Sequence, residues 1–205
     1  MARAPETLSQ AQARAIWIAA QKLDKREPCG EGPEAVAKAV AHIGYVQIDT
    51  INVIERCHHH ILFNRIPAYR RADLNAAQSD DKSVFEYWTH ALSYIATEDF
   101  PYFVAAMKEK RKDPGGWFGS VEPKDMRRIL KRVREDGPLA ISDIKDDKLV
   151  DKSHAWGSRK PSKKALQAGF FGGQLAISKR DGMLKTYDLL DRHFGWERLP
   201  KPATR

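Results

Sequence analysis

Two polar residues alternate with two apolar ones near the start of GYVQIDTINVIERCHHHILFNR, the stretch from residue 44 to residue 65. In an extended strand, Gln47 and Asp49 lie on one face and Val46 and Ile48 lie on the other. A carboxylate placed in this way can activate a water molecule or stabilise a developing cation, and the neighbouring amide can orient the water. The same spacing fits a solvated strand face on which the aspartate caps a turn. Spacing alone leaves both interpretations open.

A cysteine and three histidines follow directly, at residues 57–60. Zinc ligands are usually separated by two or more residues, and four adjacent side chains cannot all converge on one ion. We therefore predict no metal site and no cofactor. We expect some of these histidines to pack inside the protein and others to face solvent or phosphate, so that His59 and His60, together with Arg56 and Arg65, form a basic strip beside the candidate carboxylate.

A further histidine, His90, lies among aromatic residues in EYWTHALSY, residues 86–94. We predict that it belongs to the functional site and contacts the substrate. The alternative is a histidine that is buried in the core with its ring nitrogens hydrogen-bonded.

Positive charge is concentrated in the second half of the chain. The protein has 35 Lys and Arg against 27 Asp and Glu, a formal charge of +8, and residues 152–185 carry eight Lys or Arg against one acid. Such a concentration favours a polyanionic partner, nucleic acid first and an anionic membrane second. A solubilising surface is the alternative. The basic side chains predicted to contact phosphate are Lys160, Lys163, Lys164, Lys179 and Arg180.

Composition also narrows the class of protein. The chain has 205 residues, enough for one large domain or two small ones. It contains no run of about 18 apolar residues, so we expect no membrane-spanning helix, and its first 21 residues do not have the pattern of a signal peptide. Cys29 and Cys57 form no paired framework, which is typical of a protein in a reducing cytosol.

The first half of the chain predicts two helices followed by a strand. Ser9 is a natural N-cap for a helix over residues 9–24. Pro33 opens a second helix that Gly44 ends, and a strand over 45–54 follows. This order is typical of a helix-turn-helix unit that runs into a wing. The break at Pro114 and the two glycines after it places the end of this unit at residue 115.

The second half predicts a similar unit over residues 116–192. An amphipathic helix contains Met126 and Val133, and a basic helix follows over 161–170. Residues 174–188 read as a hairpin, since Asp181-Gly182 is a strong turn signal. We therefore predict a mostly α fold with small β-hairpins, built as tandem winged-helix domains. Residues 193–205 are predicted to be a linker or a truncated end.

Three of these stretches resemble one protein family. VQIDTINVIERCHHHILFNRIPAY (46–69), FEYWTHALSYI (85–95) and YDL (187–189) are similar to the YcaQ/AlkZ-like DNA glycosylases. These are bacterial winged-helix proteins that excise alkylated bases and unhook interstrand crosslinks. Their catalytic motif is Gln, an aliphatic residue, then Gln or Asp, and residues 47–49 match the Asp form. The resemblance implies that Asp49 is the catalytic carboxylate and that Gln47 is its partner. The predicted DNA contacts in this half of the chain are Arg56, His59, His60, Arg65, Tyr69 and His90.

The resemblance also implies a partner and a location. We expect a monomer that acts on double-stranded DNA with alkylated or crosslinked purines, in the cytoplasm at the bacterial nucleoid. Family members are longer and add a winged helix and a small β-barrel, so this chain is expected to lack a C-terminal part. The main alternative is a non-enzymatic winged-helix transcriptional regulator. An RNA-binding module is less favoured, because the sequence shows no evident aromatic stacking platform.

Overall fold

Short strands and mostly short helices make up the chain. The computed structural model describes residues 7–146 and 160–204, apart from the side chains of residues 116 and 117. The helices are α1 (Gln10–Ala20), α2 (Gly32–Ile43), α3 (Cys57–Phe63), α4 (Arg71–Ser79), α5 (Phe100–Lys112), α6 (Gly115–Phe118), α7 (Pro123–Asp136), α8 (Pro161–Phe171) and α9 (Leu190–Phe194). The strands are β1 (Val46–Gln47), β2 (Val84–Trp88), β3 (Leu92–Ala96), β4 (Leu139–Ala140), β5 (Leu175–Asp181) and β6 (Leu184–Leu189). The prediction of a largely helical fold with small β-hairpins is confirmed. None of the described helices combines the length and the apolar character that crossing a membrane requires.

The helix α2 forms as its sequence predicts. Pro33 lies in its first turn, where the missing N–H costs nothing. Val36, Ala39 and Val40 recur on one face and are buried. Gly44 ends the helix with φ of 90°, a conformation that glycine adopts readily. This apolar face organises the first core, which also takes in side chains from β1, α3, α4, β2 and β3.

The helix α1 starts where predicted but buries no side chain. Ser9 and Gln12 form a reciprocal capping box at its N-terminus. Ile16 and Trp17 nevertheless remain 56% and 72% exposed. The helix also ends at residue 20 and not at residue 24. It is attached to α2 by a hydrogen bond from Nε2 of His42 to the carbonyl oxygen of Ala20, at 2.8 Å.

The first sheet has the strand order β1-β3-β2, with all pairs antiparallel. Opposite residues in such a sheet project from the same face. Val46, Tyr94 and Glu86 are therefore on one face, and Gln47, Ser93 and Tyr87 are on the other. The predicted strand over 45–54 is wrong in length, because β1 ends at residue 47.

The second sheet, of order β4-β6-β5, matches the predicted hairpin. Asp181 pairs with Leu184 across a turn that has Gly182 at φ of 57°. The register shifts by one residue between Ile177 and Lys179, as in a β-bulge. The helix predicted over 161–170 is confirmed as α8.

The first sheet lies between two cores. Phe85, Tyr87 and Ile95 belong to the second core, which also contains side chains from α5, α7, α8 and the second sheet. The end of the chain packs here as well. Trp196 stacks on Phe194 with ring centroids 4.2 Å apart, and the N–H of residue 203 donates to the carbonyl oxygen of residue 101. The division into units at residues 115 and 192 stays a prediction.

Candidate active site

Backbone pairing with β3 holds Gln47 at the edge of the first sheet. Gln47 lies opposite Ser93, and the N–H of Ile48 donates to the carbonyl oxygen of Leu92 at 2.8 Å. Val46 and Ile48 are buried in the first core, whereas the side chain of Gln47 is exposed. The alternation that the sequence predicts is therefore present over this short stretch.

Asp49 lies just beyond the strand and is half-buried. Its Oδ1 accepts a hydrogen bond from the N–H of Ile51 at 2.9 Å, which closes a tight local turn. Among the described residues, none donates a hydrogen bond to Oδ2. One carboxylate oxygen therefore fixes the side chain and the other can accept a bond from water or substrate.

A buried histidine supports this turn from behind. The N–H of Asp49 donates to Nδ1 of His58 at 3.3 Å, which places the imidazole proton on Nε2. Burial, together with the nearby His59, lowers the pKa of His58 to about 3. His58 is therefore neutral at physiological pH and keeps its acceptor nitrogen available to the backbone of residue 49.

His90 is brought to Gln47 from a position 43 residues later in the chain. Its Nε2 lies 3.0 Å from Oε1 of Gln47, so that the imidazole donates to the amide oxygen. The ring is exposed and meets the ring of Tyr45 edge-on at 5.3 Å between centroids. The alternative of a buried core histidine is wrong. With its oxygen engaged by His90, the amide of Gln47 has N–H groups that donate to no other described residue.

The remaining histidines of α3 divide into a buried and an exposed side chain. His59 is buried, and its Nδ1 lies 2.6 Å from the hydroxyl oxygen of Tyr69. Burial lowers the pKa of His59 and raises the pKa of Tyr69. The predicted DNA contact by His59 is therefore corrected to a packing role, whereas His60 is exposed and Arg56 and Tyr69 are half-buried.

Two further predicted DNA contacts, Arg65 and Arg180, are also corrected. Arg65 is 5% exposed and donates to the carbonyl oxygen of Ile61 at 3.0 Å and to Oε1 of Gln21 at 3.1 Å. Arg180 is 6% exposed and forms a two-pronged ion pair with Glu86, in which Nη2 lies 2.8 Å from Oε2. Both guanidinium groups are engaged inside the protein, so neither faces a bound duplex.

The sequence model of the family described as "DNA glycosylase AlkZ-like" matches residues 40–205. The chain belongs to the AlkZ-like DNA glycosylase family. The matched range includes the β1 edge, the buried α3 histidines and the turn that carries His90, so the resemblance noted from the sequence is confirmed.

A solved structure agrees with this assignment at the level of the fold. The chain is similar to the DNA glycosylase AlkZ of Streptomyces sahachiroi, with a TM-score of 0.58 and 19% sequence identity. The match covers 96% of this chain and 54% of that chain. This member of the AlkZ-like family therefore spans about half the length of that solved relative.

The predicted lysine contacts of this AlkZ-like chain lie on the second sheet and α8, apart from the β1 edge. Lys163 and Lys179 are exposed, and Lys160 is half-buried. Lys164 is half-buried, with Nζ 3.4 Å from Oγ of Ser120. Two other basic residues of the 152–185 run, at positions 152 and 159, lie outside the described residues.

Sequence reasoning missed the role of His58. The run of three histidines indicates that some pack inside, but it does not indicate which ones. That choice depends on the residue at which α3 begins, because a helix rotates by about 100° per residue. Since α3 begins at residue 57, His58 and His59 face inward and His60 faces out.

Proposed function

We propose that this chain is a DNA glycosylase that hydrolyses the N-glycosidic bond of alkylated or interstrand-crosslinked purines in duplex DNA. One observation carries the proposal. The carboxylate of Asp49 and the amide of Gln47 stand two residues apart at an accessible sheet edge, with one carboxylate oxygen held by a turn and the other free of described protein donors. Membership of a DNA glycosylase family gives this pair its chemical context.

The reaction needs little help at the leaving group. Alkylation of a ring nitrogen makes the purine cationic, so the base departs as a neutral molecule with the electron pair of the broken C1′–N bond. The sugar becomes oxocarbenium-like, and an ionised carboxylate nearby stabilises its positive charge. Water adds to C1′ and gives its proton to Asp49, which completes hydrolysis as a general base.

Gln47 and His90 act as positioning residues in this proposal. Along extended backbone, residues 47 and 49 are separated by roughly 6–7 Å, which leaves room for a water molecule between the two side chains. An outward N–H of Gln47 donates to the water oxygen, while Asp49 accepts the water proton. His90 prevents the amide from turning over, because its Nε2 already occupies the amide oxygen.

The second half of the chain supplies the DNA affinity in this proposal. We assign α7, β4, α8, β5 and β6 to a winged-helix unit, with α8 as its basic helix and the β5–β6 hairpin as its wing. The tandem arrangement, with the β1 edge in a first unit over residues 1–115 and the wing in a second over 116–192, is part of the proposal. Lys160, Lys163, Lys164 and Lys179 would contact phosphates, and such contacts position a duplex without reading its sequence.

Several further properties follow from this function. The partner is double-stranded DNA, and contacts to one lesion in one duplex require only a single copy of the chain, so we propose a monomer. His60, which is exposed, and Arg56 and Tyr69, which are half-buried, remain proposed DNA contacts. A bacterial protein with this substrate would act in the cytoplasm, at the nucleoid.

The test is base release from a defined lesion. Duplex containing N7-methylguanine is incubated with the protein, and abasic sites are counted as strand breaks after alkali. Asp49→Asn removes the carboxylate that acts as the general base. It is expected to slow release of the methylated guanine about 100- to 10,000-fold. Asp81→Asn, at an exposed turn far along the chain, is the matched control and should keep full activity. Full activity in Asp49→Asn would exclude Asp49 as the catalytic group, and salt-sensitive duplex binding with no base release by the wild type would favour a non-enzymatic DNA-binding protein.

A further inference from the structure

An aromatic cleft opens at the end of β2 in the first sheet, where Tyr87 and Trp88 both line it. Its volume is about 680 Å³, within the range of about 300–1,000 Å³ that is typical of small-molecule sites. Its lining comes from β2, β3, α5, α6, α8 and β6 and from the loops next to them. The aromatic side chains that line it are Tyr87, Trp88, Phe118, Phe170, Phe171 and Tyr187.

The register of the sheet connects this cleft with the candidate catalytic edge. Tyr87, Ser93 and Gln47 are opposite one another across three strands, so all three project from one face. Thr89 lines the cleft, and its Oγ1 lies 3.1 Å from Oγ of Ser93. His90, which bonds to Gln47, is the next residue along the chain. Thr89 and Ser93 therefore connect the edge of the cleft with the strand position opposite Gln47.

The rings form a platform that is open to solvent on one side. Phe171 contacts Trp88 and Phe118, with ring centroids 6.0 and 5.2 Å apart. Trp88 remains 49% exposed although it lies in these contacts. Base–aromatic stacking needs such an accessible ring face, and every base has a matching face. These rings, which lie far apart in the sequence, are the candidate stacking surface that the local sequence pattern does not reveal.

The charges around the cleft favour an anion. Lys110 and Lys185 line it, and no carboxylate does so among the described residues. Nζ of Lys185 lies 5.7 Å from the centroid of the Phe170 ring. The pKa of Lys185 is lowered, mainly by burial, and Glu86 only partly offsets this effect. The cost of burying its positive charge is therefore not fully offset within the protein, and a bound phosphate would offset it further.

We propose that this cleft binds one unstacked base of a nucleic-acid strand, with the flanking phosphate held by Lys110 and Lys185. The inference rests on the proposed function only for the identity of the polymer, which is DNA. The base stacks on Trp88 and Phe171, and the backbone then passes the Gln47–His90 pair. In this proposal the cleft holds the unpaired base next to the glycosidic bond that is cleaved. Asp49 acts on that bond.

The experiment compares two undamaged DNA probes at one ionic strength. One is a short paired duplex, and the other is the same duplex with a single unpaired adenine. Fluorescence anisotropy of labelled probes gives both dissociation constants. Wild-type protein is expected to bind the bulged probe about 5- to 100-fold more tightly, the range given by stacking one base on an aromatic surface. Equal affinities would overturn the proposal.

Variants at Trp88 locate the effect. Trp88→Ala should bring the ratio of the two dissociation constants close to one, and Trp88→Phe should keep most of the preference because it keeps a ring. Trp17→Ala is the matched control, since Trp17 is 72% exposed on α1 and does not line the cleft. If Trp88→Ala leaves the ratio of the two dissociation constants unchanged, even while it weakens binding of both probes, the cleft does not hold the base. A thermal unfolding midpoint like that of the wild type shows that each variant is folded.

Two lysines of α5, changed one at a time, test whether the cleft holds the flanking phosphate. Lys110→Ala should lower affinity for the bulged probe more than for the paired one, and Lys108→Ala, exposed on the same helix but outside the cleft, should not. Identical effects of the two variants would remove the phosphate from the proposal. Tighter binding of a bulged RNA duplex would overturn the assignment to DNA. Because neither probe is damaged, these results are independent of base release, and a failed cleavage assay leaves them intact.

Discussion

Two carboxylates, Glu86 on the first sheet and Asp49 just beyond its edge strand, have opposite environments. Glu86, on β2, is 3% exposed, and Arg180 bonds to both of its oxygens while Nε2 of Gln78 donates to Oε1 at 2.9 Å. Asp49, just after β1, is half-buried and uses one oxygen to close its own turn. One carboxylate is fully paired and the other is held but left open.

The difference separates charge that stabilises the fold from charge that can react. A buried ion loses its hydration, so it is tolerated only when every oxygen or N–H has a partner. Glu86 meets that condition by joining β2 to the β5 strand of the second sheet. Asp49 keeps an unpaired oxygen and partial contact with water, which is the condition for binding a substrate proton or a developing cation.

The largest expected effect comes from breaking the buried ion pair between Glu86 and Arg180. Arg180→Ala leaves the carboxylate of Glu86 buried without its partner and is expected to lower the free energy of unfolding by about 3–5 kcal/mol. Lys179→Ala, the exposed neighbour on β5, should change it by less than about 0.5 kcal/mol. Urea denaturation followed by circular dichroism measures both variants.

A double variant separates lost pairing from lost packing. Glu86→Leu with Arg180→Met removes both charges, and it should recover much of the stability lost in Arg180→Ala, since replacing a buried pair with apolar side chains is often neutral. If Arg180→Ala is as stable as the wild type but binds DNA weakly, Arg180 is a DNA contact after all and the comparison fails.

The position of Arg180 shows where sequence patterns reach their limit. Strict alternation along β5, counted from the buried Ile177, would place Lys179 inside and Arg180 outside. The bulge after Ile177 adds one residue, so that Lys179 points to solvent and Arg180 points inward. Nothing in the local sequence marks the bulge, because the burial of Arg180 depends on Glu86, which lies 94 residues earlier in the chain.

Local signals predicted the elements that depend on local interactions. The Ser9 cap, the Pro33 start and the turn at Asp181-Gly182 all formed as expected, because each depends on residues close in the chain. The site was predictable only as a set of candidates. Gln47 and Asp49 were identified through strand alternation and family resemblance, whereas the contact of Gln47 with His90 requires β1 to pair with β3, a long-range event.

An intermediate effect is expected in the candidate active site around Asp49, from changes to the Gln47–His90 pair. Gln47→Ala should lower kcat for release of N7-methylguanine about 10- to 100-fold with little change in KM, because it removes a positioning group and not a DNA contact. His90→Ala should lower kcat less. The double variant should resemble Gln47→Ala alone, since His90 acts through the amide. Steady-state kinetics over a range of DNA concentrations measures kcat and KM for each variant.

The opposite result at His90 would support the role predicted from the sequence. If His90→Ala raises KM and its effect adds to that of Gln47→Ala, the imidazole contacts DNA directly. His90→Asn provides a further check, because its amide can still donate to Gln47 and should restore part of kcat if positioning is the role.

The smallest expected effect concerns the lysines of α8. They belong neither to the buried ion pair nor to the candidate active site, and we expect them to contribute only to affinity for DNA. Lys163→Ala with Lys164→Ala should weaken binding about equally for every duplex sequence, because phosphate contacts carry no sequence information. Each lost contact should reduce the slope of log affinity against log salt by about 0.9, so the double variant loses up to about 1.8. Lys25→Ala with Lys38→Ala, two exposed lysines of the first half, is the matched control. An unchanged slope would place the duplex elsewhere, and the aromatic cleft beside the β1 edge would then have to supply the affinity as well as the base site.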